Sequence, residues 1–301
     1  MSGVSERMTR RPWQRPTLRG NEGDRQVGWL ELFFDLVFVV ILATLADGVA
    51  HHLSGDGPRD FVLQFLAVFW IWNAFTYYSE RFESDGLETR VFTFVAILAV
   101  AGLAVWGSDG LGAGYLGFAL SYTAARLLNI TMWLRAAYYN PPFRSTALSF
   151  AGGFVVASSL IAISFTVEGT PRVVIWGTAV VLEIVTPAIF NRTQWKLPAI
   201  SRDKYPERFG LLTMIVLGEV VASVIGGIAA VHTAGELTGS TVANGVIGLA
   251  IGFGLWWIYY DFVGRRVPFP PLPIQLTWLY LHFFLLIGLV AVGVGVAVGI
   301  T

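Results

Sequence analysis

Trp29-Leu30-Glu31-Leu32-Phe33-Phe34-Asp35-Leu36-Val37-Phe38-Val39-Val40-Ile41-Leu42-Ala43-Thr44-Leu45-Ala46-Asp47-Gly48-Val49-Ala50 is the stretch that decides the fold. Apart from Glu31, Asp35, Asp47 and Thr44 it is apolar or small throughout. A helix rises ~1.5 Å per residue, so about 20 such residues cross the hydrocarbon core of a bilayer. Eight further runs of similar length follow, at 61–80, 90–107, 114–138, 146–166, 172–191, 208–231, 242–263 and 276–300. The pattern predicts an all-α, polytopic transmembrane helix bundle of about nine spans.

Basic residues in the gaps are sorted by side. Arg7, Arg10, Arg11, Arg15, Arg19 and Arg25 precede the first run. Arg81, Arg90, Arg135, Arg144, Arg192, Lys196, Arg202, Lys204, Arg208, Arg265 and Arg266 fall in the second, fourth, sixth and eighth gaps. Seventeen of the 20 basic residues therefore lie on one side; Arg59 and Arg172 lie on the other, and Arg126 sits inside the fourth run. Lys and Arg favour the cytoplasmic side, so the N-terminus is expected inside and residue 301 outside. A bacterial plasma membrane is the expected location. The first run is not a cleavable signal peptide, because 28 polar residues precede it and no small-residue cleavage pattern follows.

Composition agrees. The chain is 55% hydrophobic and 13% charged, with a mean hydropathy of +0.64, far from the average of a soluble domain. The lipid bilayer is the expected partner. Nucleic acid is not, since the Arg-rich N-terminus is short and reads as a topology signal that can touch anionic headgroups. Cysteine is absent, which excludes disulfides, thiol catalysis and thiolate metal sites.

Residues 1–28 read as a largely disordered cytoplasmic tail with a surface-lying stretch near Trp13. Residues 29–191 read as a first six-span repeat, 192–207 as a cytoplasmic connector marked by Pro198 and Pro206, and 208–301 as a partial second repeat of three spans. The duplication rests on matching features. Glu31 opens span 1 as Glu207-Arg208-Phe209 opens span 7. Phe69-Trp70-Ile71-Trp72 with Tyr77 and Tyr78 in span 2 matches Phe253-Gly254-Leu255-Trp256 with Tyr259, Tyr260 and Asp261 in span 8. Gly102-Leu103 matches Gly288-Leu289. Six spans per repeat is even, so the repeats would be parallel, with the second copy incomplete. Interfacial anchoring of Trp and Tyr is the plainer account of the same features. The stretch 264–275, with Pro268, Pro270, Pro271 and Pro273, reads as an extended connector.

Ionisable side chains in spans cost about 2.5–3.5 kcal/mol each on insertion scales unless they face protein, water or a partner. Arg126 lies mid-span 4 with Asn129 on its face, Glu183 mid-span 6, and Glu219 near the middle of span 7. Arg126 is expected to face the interior and pair with Glu183 or Glu219. The functional reading is a path for protons or cations; the structural one is a salt bridge that fixes packing. At the start of span 1, Glu31 and Asp35 share a helix face, with Arg208, Arg81 and Arg90 as expected neighbours. They read either as an inlet for an ion or solute or as a charge network clamping helices at the rim. His51 and His52 beside Asp47 do not share a helical face, and a solvated loop fits them better than a metal site. His282 in span 9 reads as a hydrogen-bonded packing residue or a proton relay, and Asp261 closes the aromatic cluster of span 8. Gly248-x-x-x-Gly252 and Gly295-x-x-x-Gly299 permit close helix approach, so a homo-oligomer is compatible with the chain.

No Walker A loop, Gly-x-Ser-x-Gly elbow, His-Glu-x-x-His motif, haem pair or potassium-filter motif occurs, so no enzyme activity, metal or cofactor is expected.

The run Glu31 to Val39, together with Glu207-Arg208-Phe209-Gly210-Leu211-Leu212-Thr213-Met214-Ile215-Val216-Leu217-Gly218-Glu219, resembles the bacterial low temperature requirement A family. Trp256-Trp257-x-Tyr259-Tyr260-Asp261 and Tyr280-Leu281-His282 fit it as well, so the resemblance runs from about residue 28 to the C-terminus. It implies a multi-pass membrane protein, usually longer than this chain, linked to growth in the cold; it brings no established substrate. Phe33-x-Asp35-x-Val37-Phe38 also resembles the first-helix signature of potassium channels built from six-span repeats, but Phe34 replaces their Ser and Trp29 their Arg. The expected function is a secondary transporter or channel-like permease for a small solute or cation. The alternative is a non-transporting membrane protein in lipid or envelope homeostasis during cold growth.

Overall fold

The computed structural model describes residues 13–18, 27–83, 86–189, 204–264 and 272–300. Among them are nine long α-helices: α1 (Trp29–His51), α2 (Gly57–Arg81), α3 (Leu87–Trp106), α4 (Tyr115–Tyr139), α5 (Arg144–Ser164), α6 (Thr170–Ile189), α7 (Lys204–Thr233), α8 (Gly239–Ile258) and α9 (Leu272–Ile300). Eight of the nine are long and apolar enough to cross a membrane. The protein is a helical multi-pass membrane protein. The ninth, α4, is diluted by Ser121, Thr123, Arg126, Asn129 and Arg135, and of these it buries Arg126 and Asn129 completely.

Helix starts fall a few residues before the apolar runs, and proline explains why. Pro58, Pro171, Pro206 and Pro273 all lie in the first turn of a helix, where the missing N–H would have had no partner. Pro206 thus opens α7 instead of breaking the chain before it, and residues 204–207 are helical. In the same way 272–275 belong to α9, not to an extended connector; 265–271 and 190–203 lie outside the described residues. The end of α8 loosens into a π-turn over Tyr259–Val263, closed by Gly264 N–H on the Tyr259 carbonyl at 2.8 Å.

The chain forms two compact units. One contains Trp70–Val100, Leu120–Ser201 and the N-terminal residues Met1–Gly23. Its core stacks Trp133 of α4 on Phe150 of α5, ring centroids 4.5 Å apart and 13° from parallel, with Tyr77, Tyr78 and Phe82 around them. Small residues (Ala136, Ala137, Ala147 and Ala151) let α4 and α5 close on these rings. Thr17–Leu18 pairs antiparallel with Phe82–Glu83, the one strand pairing among the described residues. Residues 13–18 thus form a placed stretch at Trp13, where a surface-lying stretch was expected; 1–12 and 19–26 lie outside the described residues. Trp13 meets Phe92 edge-on at 6.1 Å, Arg135 lies 5.3 Å over Trp13, and Asn140 donates to the Pro16 carbonyl at 2.9 Å.

The other unit contains Asp24–Phe69, Ala101–Ala119 and Arg202–Thr301. Here α7 packs on α1, α8 and α9, and α9 also packs on α1 and α8. A column of aromatic side chains joins the elements: Phe65 and Phe69 of α2 meet Phe283 of α9, and Phe209 of α7 meets Phe69 and Trp278. Where bulk would keep helices apart, glycine admits them. A Cβ at Gly248 of α8 would stand 2.4 Å from Val296 of α9.

Gly48 is less forgiving, since a Cβ there would lie 2.5 Å from the backbone oxygen of Ser108, which cannot rotate away. Gly48→Val should lower stability by about 1–3 kcal/mol through overpacking. Thermal unfolding in detergent reads this. An unchanged midpoint would show that the helix and the Ser108 turn do not meet.

Candidate functional site

In the first unit the functional side chains converge on Arg126. Four residues are one helical turn, so Tyr122, Arg126 and Asn129 project from one face of α4. Glu183 projects from α6 and Phe154 from α5. Arg126 and Glu183 form an ion pair through Nη2 and Oε2 with both side chains fully buried. Tyr122 ties the two together: its hydroxyl donates to Glu183 Oε2 at 2.7 Å and accepts from Arg126 Nε and Nη2 at 3.2 and 3.1 Å. Asn129 Oδ1 accepts from Arg126 Nη1 at 3.3 Å. The rings of Tyr122 and Phe154 lie 5.0 and 5.1 Å from the guanidinium carbon. Taking two charges out of water is costly, and only dense hydrogen bonding of this kind offsets it. Asn129 Nδ2 and Glu183 Oε1 stay without a hydrogen bond.

In the second unit, charge collects where α1 meets α7. Asp35 of α1 pairs with Arg208 of α7 through Oδ1 and Nη2, and Arg208 Nε reaches Asp35 Oδ2 at 3.2 Å. One turn earlier Glu31 Oε1 takes Lys204 Nζ at 2.6 Å, while its other oxygen caps the helix by accepting from Gly28 N–H at 3.0 Å. Both pairs are 173 residues apart in sequence, so the two helices run in the same direction where they touch. Arg208 is thus the expected partner of Asp35. Of the other two, Arg81 bonds the Tyr77 hydroxyl at 2.8 Å and lies over its ring, and Arg90 is exposed. Lys204 escaped the sequence reading because Pro206 placed it in a connector.

His282 is buried and held at both nitrogens, Nδ1 on the Trp278 carbonyl at 2.8 Å and Nε2 on the Tyr259 hydroxyl at 3.2 Å. A nitrogen facing a carbonyl must carry the proton, so Nδ1 donates to Trp278, while the Tyr259 hydroxyl can either donate to Nε2 or accept from it. Glu219 is half-buried and accepts from Ser223 of its own helix at 3.4 Å, so the carboxylate of Arg126 is Glu183. Asp261 is exposed and takes the indole N–H of Trp257. His51 bonds the Asp47 carbonyl at 2.8 Å on an exposed turn. No cluster able to hold a metal occurs among the described residues.

One cavity of about 230 Å³ opens at the junction of α1 with α2. Asp56, Asp60, Asp109 and His52 line it, with Gln64 at its base. Gln64 oriented with its oxygen toward Gly110 and Leu111 accepts both N–H groups, at 2.9 and 3.1 Å, which locks the turn after α3. Arg59 binds Asp56 and Asp60 at 2.9 and 2.8 Å, so only part of the acidic charge is free to attract a cation.

Comparison with known proteins fits this architecture. An uncharacterized protein of Rhizobium meliloti (strain 1021) is 25% identical over 254 residues, which cover 80% of this chain and 59% of that protein. The chain thus spans about three-fifths of the length of that relative. No solved structure matches. The family model of the bacterial low temperature requirement A protein matches residues 26–301, nearly everything described above, and the chain belongs to that family.

Proposed function

We propose that the protein is a secondary transporter or channel-like permease for a small solute or ion, with its N-terminus cytoplasmic and residue 301 extracytoplasmic. The observation that carries this reading is the Arg126–Glu183 pair, buried between α4 and the apolar spanning helix α6 and still leaving polar atoms unsatisfied. A pair kept only for packing is readily replaced by apolar side chains at similar or better stability. Intramembrane charge that persists beside unmet polar groups is the usual mark of a solute or ion path. The partly neutralised acidic cavity beside α1 and α2 supports the reading as a place where a solute could gather.

Purified full-length chain in proteoliposomes tests it. Solute flux should exceed that of protein-free vesicles, and Glu183→Gln should stay folded, because glutamine keeps an oxygen on the guanidinium. Its flux should fall about tenfold, in line with the ~1.5–3 kcal/mol of a hydrogen bond to a charged group. Full flux in that variant would remove Glu183 from the path. No flux of any solute would leave the non-transporting role in lipid or envelope homeostasis as the better reading. A reporter fused after Thr301 checks the orientation, and a cytoplasmic signal would reverse it.

A further inference from the structure

The two unmet atoms of the Arg126 cluster have definite chemistry. Asn129 places its oxygen on Arg126 Nη1, which leaves its NH₂ group as a donor without an acceptor. Glu183 places Oε2 on Arg126 and Tyr122, which leaves Oε1 as an acceptor without a donor. Both residues are almost completely buried, so bulk water does not reach these atoms. Buried polar atoms in native proteins are nearly always satisfied, and one donor and one acceptor on residues that bond the same guanidinium ask for a guest that offers the reverse of each.

Charge narrows the guest further. One guanidinium and one carboxylate already balance, and Tyr122 and Asn129 are neutral. A cation would suit Glu183 Oε1 but face the guanidinium and the Asn129 N–H groups. An anion would suit the donors but face the carboxylate. Either would also leave an uncompensated charge inside the spans. An uncharged molecule with both a donor and an acceptor meets neither conflict.

We propose that the cluster of Arg126, Asn129 and Glu183 binds a small uncharged solute carrying both a hydrogen-bond donor and an acceptor, the class that includes water, urea and small amides. This names the solute class of the permease reading and rests on it.

Three planar probes of nearly equal shape separate the cases: urea is neutral, guanidinium always positive and nitrate always negative. Stopped-flow light scattering of proteoliposomes holding the full chain should show urea or water flux above protein-free vesicles, with guanidinium and nitrate excluded. An impermeant osmolyte reads water apart from urea, and passage of either supports the class. Asn129→Asp keeps the oxygen on Arg126, removes the free donor and makes the site net negative. Its uncharged flux should drop about tenfold, the factor expected for one unmet buried hydrogen bond, and guanidinium flux should rise. Should that variant fail to fold, the three-probe comparison on the native chain decides alone. Guanidinium or nitrate flux without urea or water flux would overturn the solute class and leave the permease standing. Silence from all probes would remove the permease reading and the inference with it.

Discussion

Arg126→Ala should cost about 3–5 kcal/mol of stability, a large share of what holds a domain folded. The loss is not the strength of one contact. Truncation leaves Glu183 fully buried with only the Tyr122 hydroxyl as a donor, and an ionised carboxylate in that position is far costlier than a solvated one. It also removes the cation that lies 5.0 and 5.1 Å from the Tyr122 and Phe154 ring centroids, a contact worth up to about 2 kcal/mol when desolvated. Glu183→Leu should be harmful for the mirror reason, because guanidinium cannot shed its proton. The double variant Arg126→Met with Glu183→Leu should regain most of the stability, since it strands nothing. Unfolding in detergent for the four members of the cycle gives the coupling, expected to exceed ~2 kcal/mol. Additive losses would mean that the two side chains act independently, against the geometry. Recovery of stability with loss of flux in the double variant would separate a transport role from a packing one.

Much of this site is legible in the chain because charge inside a span is so rarely tolerated. Arg126 has few carboxylates at comparable depth, so Glu183 and Glu219 could be named before any coordinates, and the i, i+3 spacing placed Asn129 beside it. What the pattern could not do was choose between the acids, because depth along a helix says nothing about which face a distant helix turns inward. Tyr122 was missed for another reason: a tyrosine in an aromatic-rich span looks like an interfacial anchor, and only its two partners reveal its bridging role. Lys204 was missed because proline was read as a break, whereas in the first turn of a helix it is neutral. Trp13 marked a surface-lying stretch in the tail, but the partners of residues 13–18, Phe92, Arg135 and Asn140, lie far away in sequence and left no local signal. Helix lengths and number came through well, since hydropathy integrates over twenty residues and tolerates local error. Helix direction is supported as well. The common offset of the two α1–α7 pairs makes those helices parallel, as an even number of crossings between spans one and seven requires. A six-span duplication would produce that parity, and the duplication remains a proposal.

The α1–α7 charges should sort by burial. Asp35→Ala should destabilise the protein by about 3–5 kcal/mol, because the buried cation Arg208 would lose the carboxylate that holds two of its nitrogens. Helix polarity adds to the effect. Arg208 and Lys204 both stand near the N-terminus of α7, where the helix dipole disfavours positive charge, so each depends on its carboxylate more than a cation at a helix C-terminus would. Asp35 and Glu31, near the N-terminus of α1, sit on the favourable end of their own dipole. Glu31→Gln should be much milder, about 1 kcal/mol, since that side chain is 22% exposed and glutamine can still accept from Gly28 N–H. The double variant Asp35→Leu with Arg208→Met should recover stability for the same reason as its counterpart at Arg126. Unfolding curves of Asp35→Ala, Glu31→Gln and the double variant, measured side by side, check the order. If Glu31→Gln proved as damaging as Asp35→Ala, burial would not be what ranks these pairs. The cost would then have to come from the cap that Glu31 places on α1.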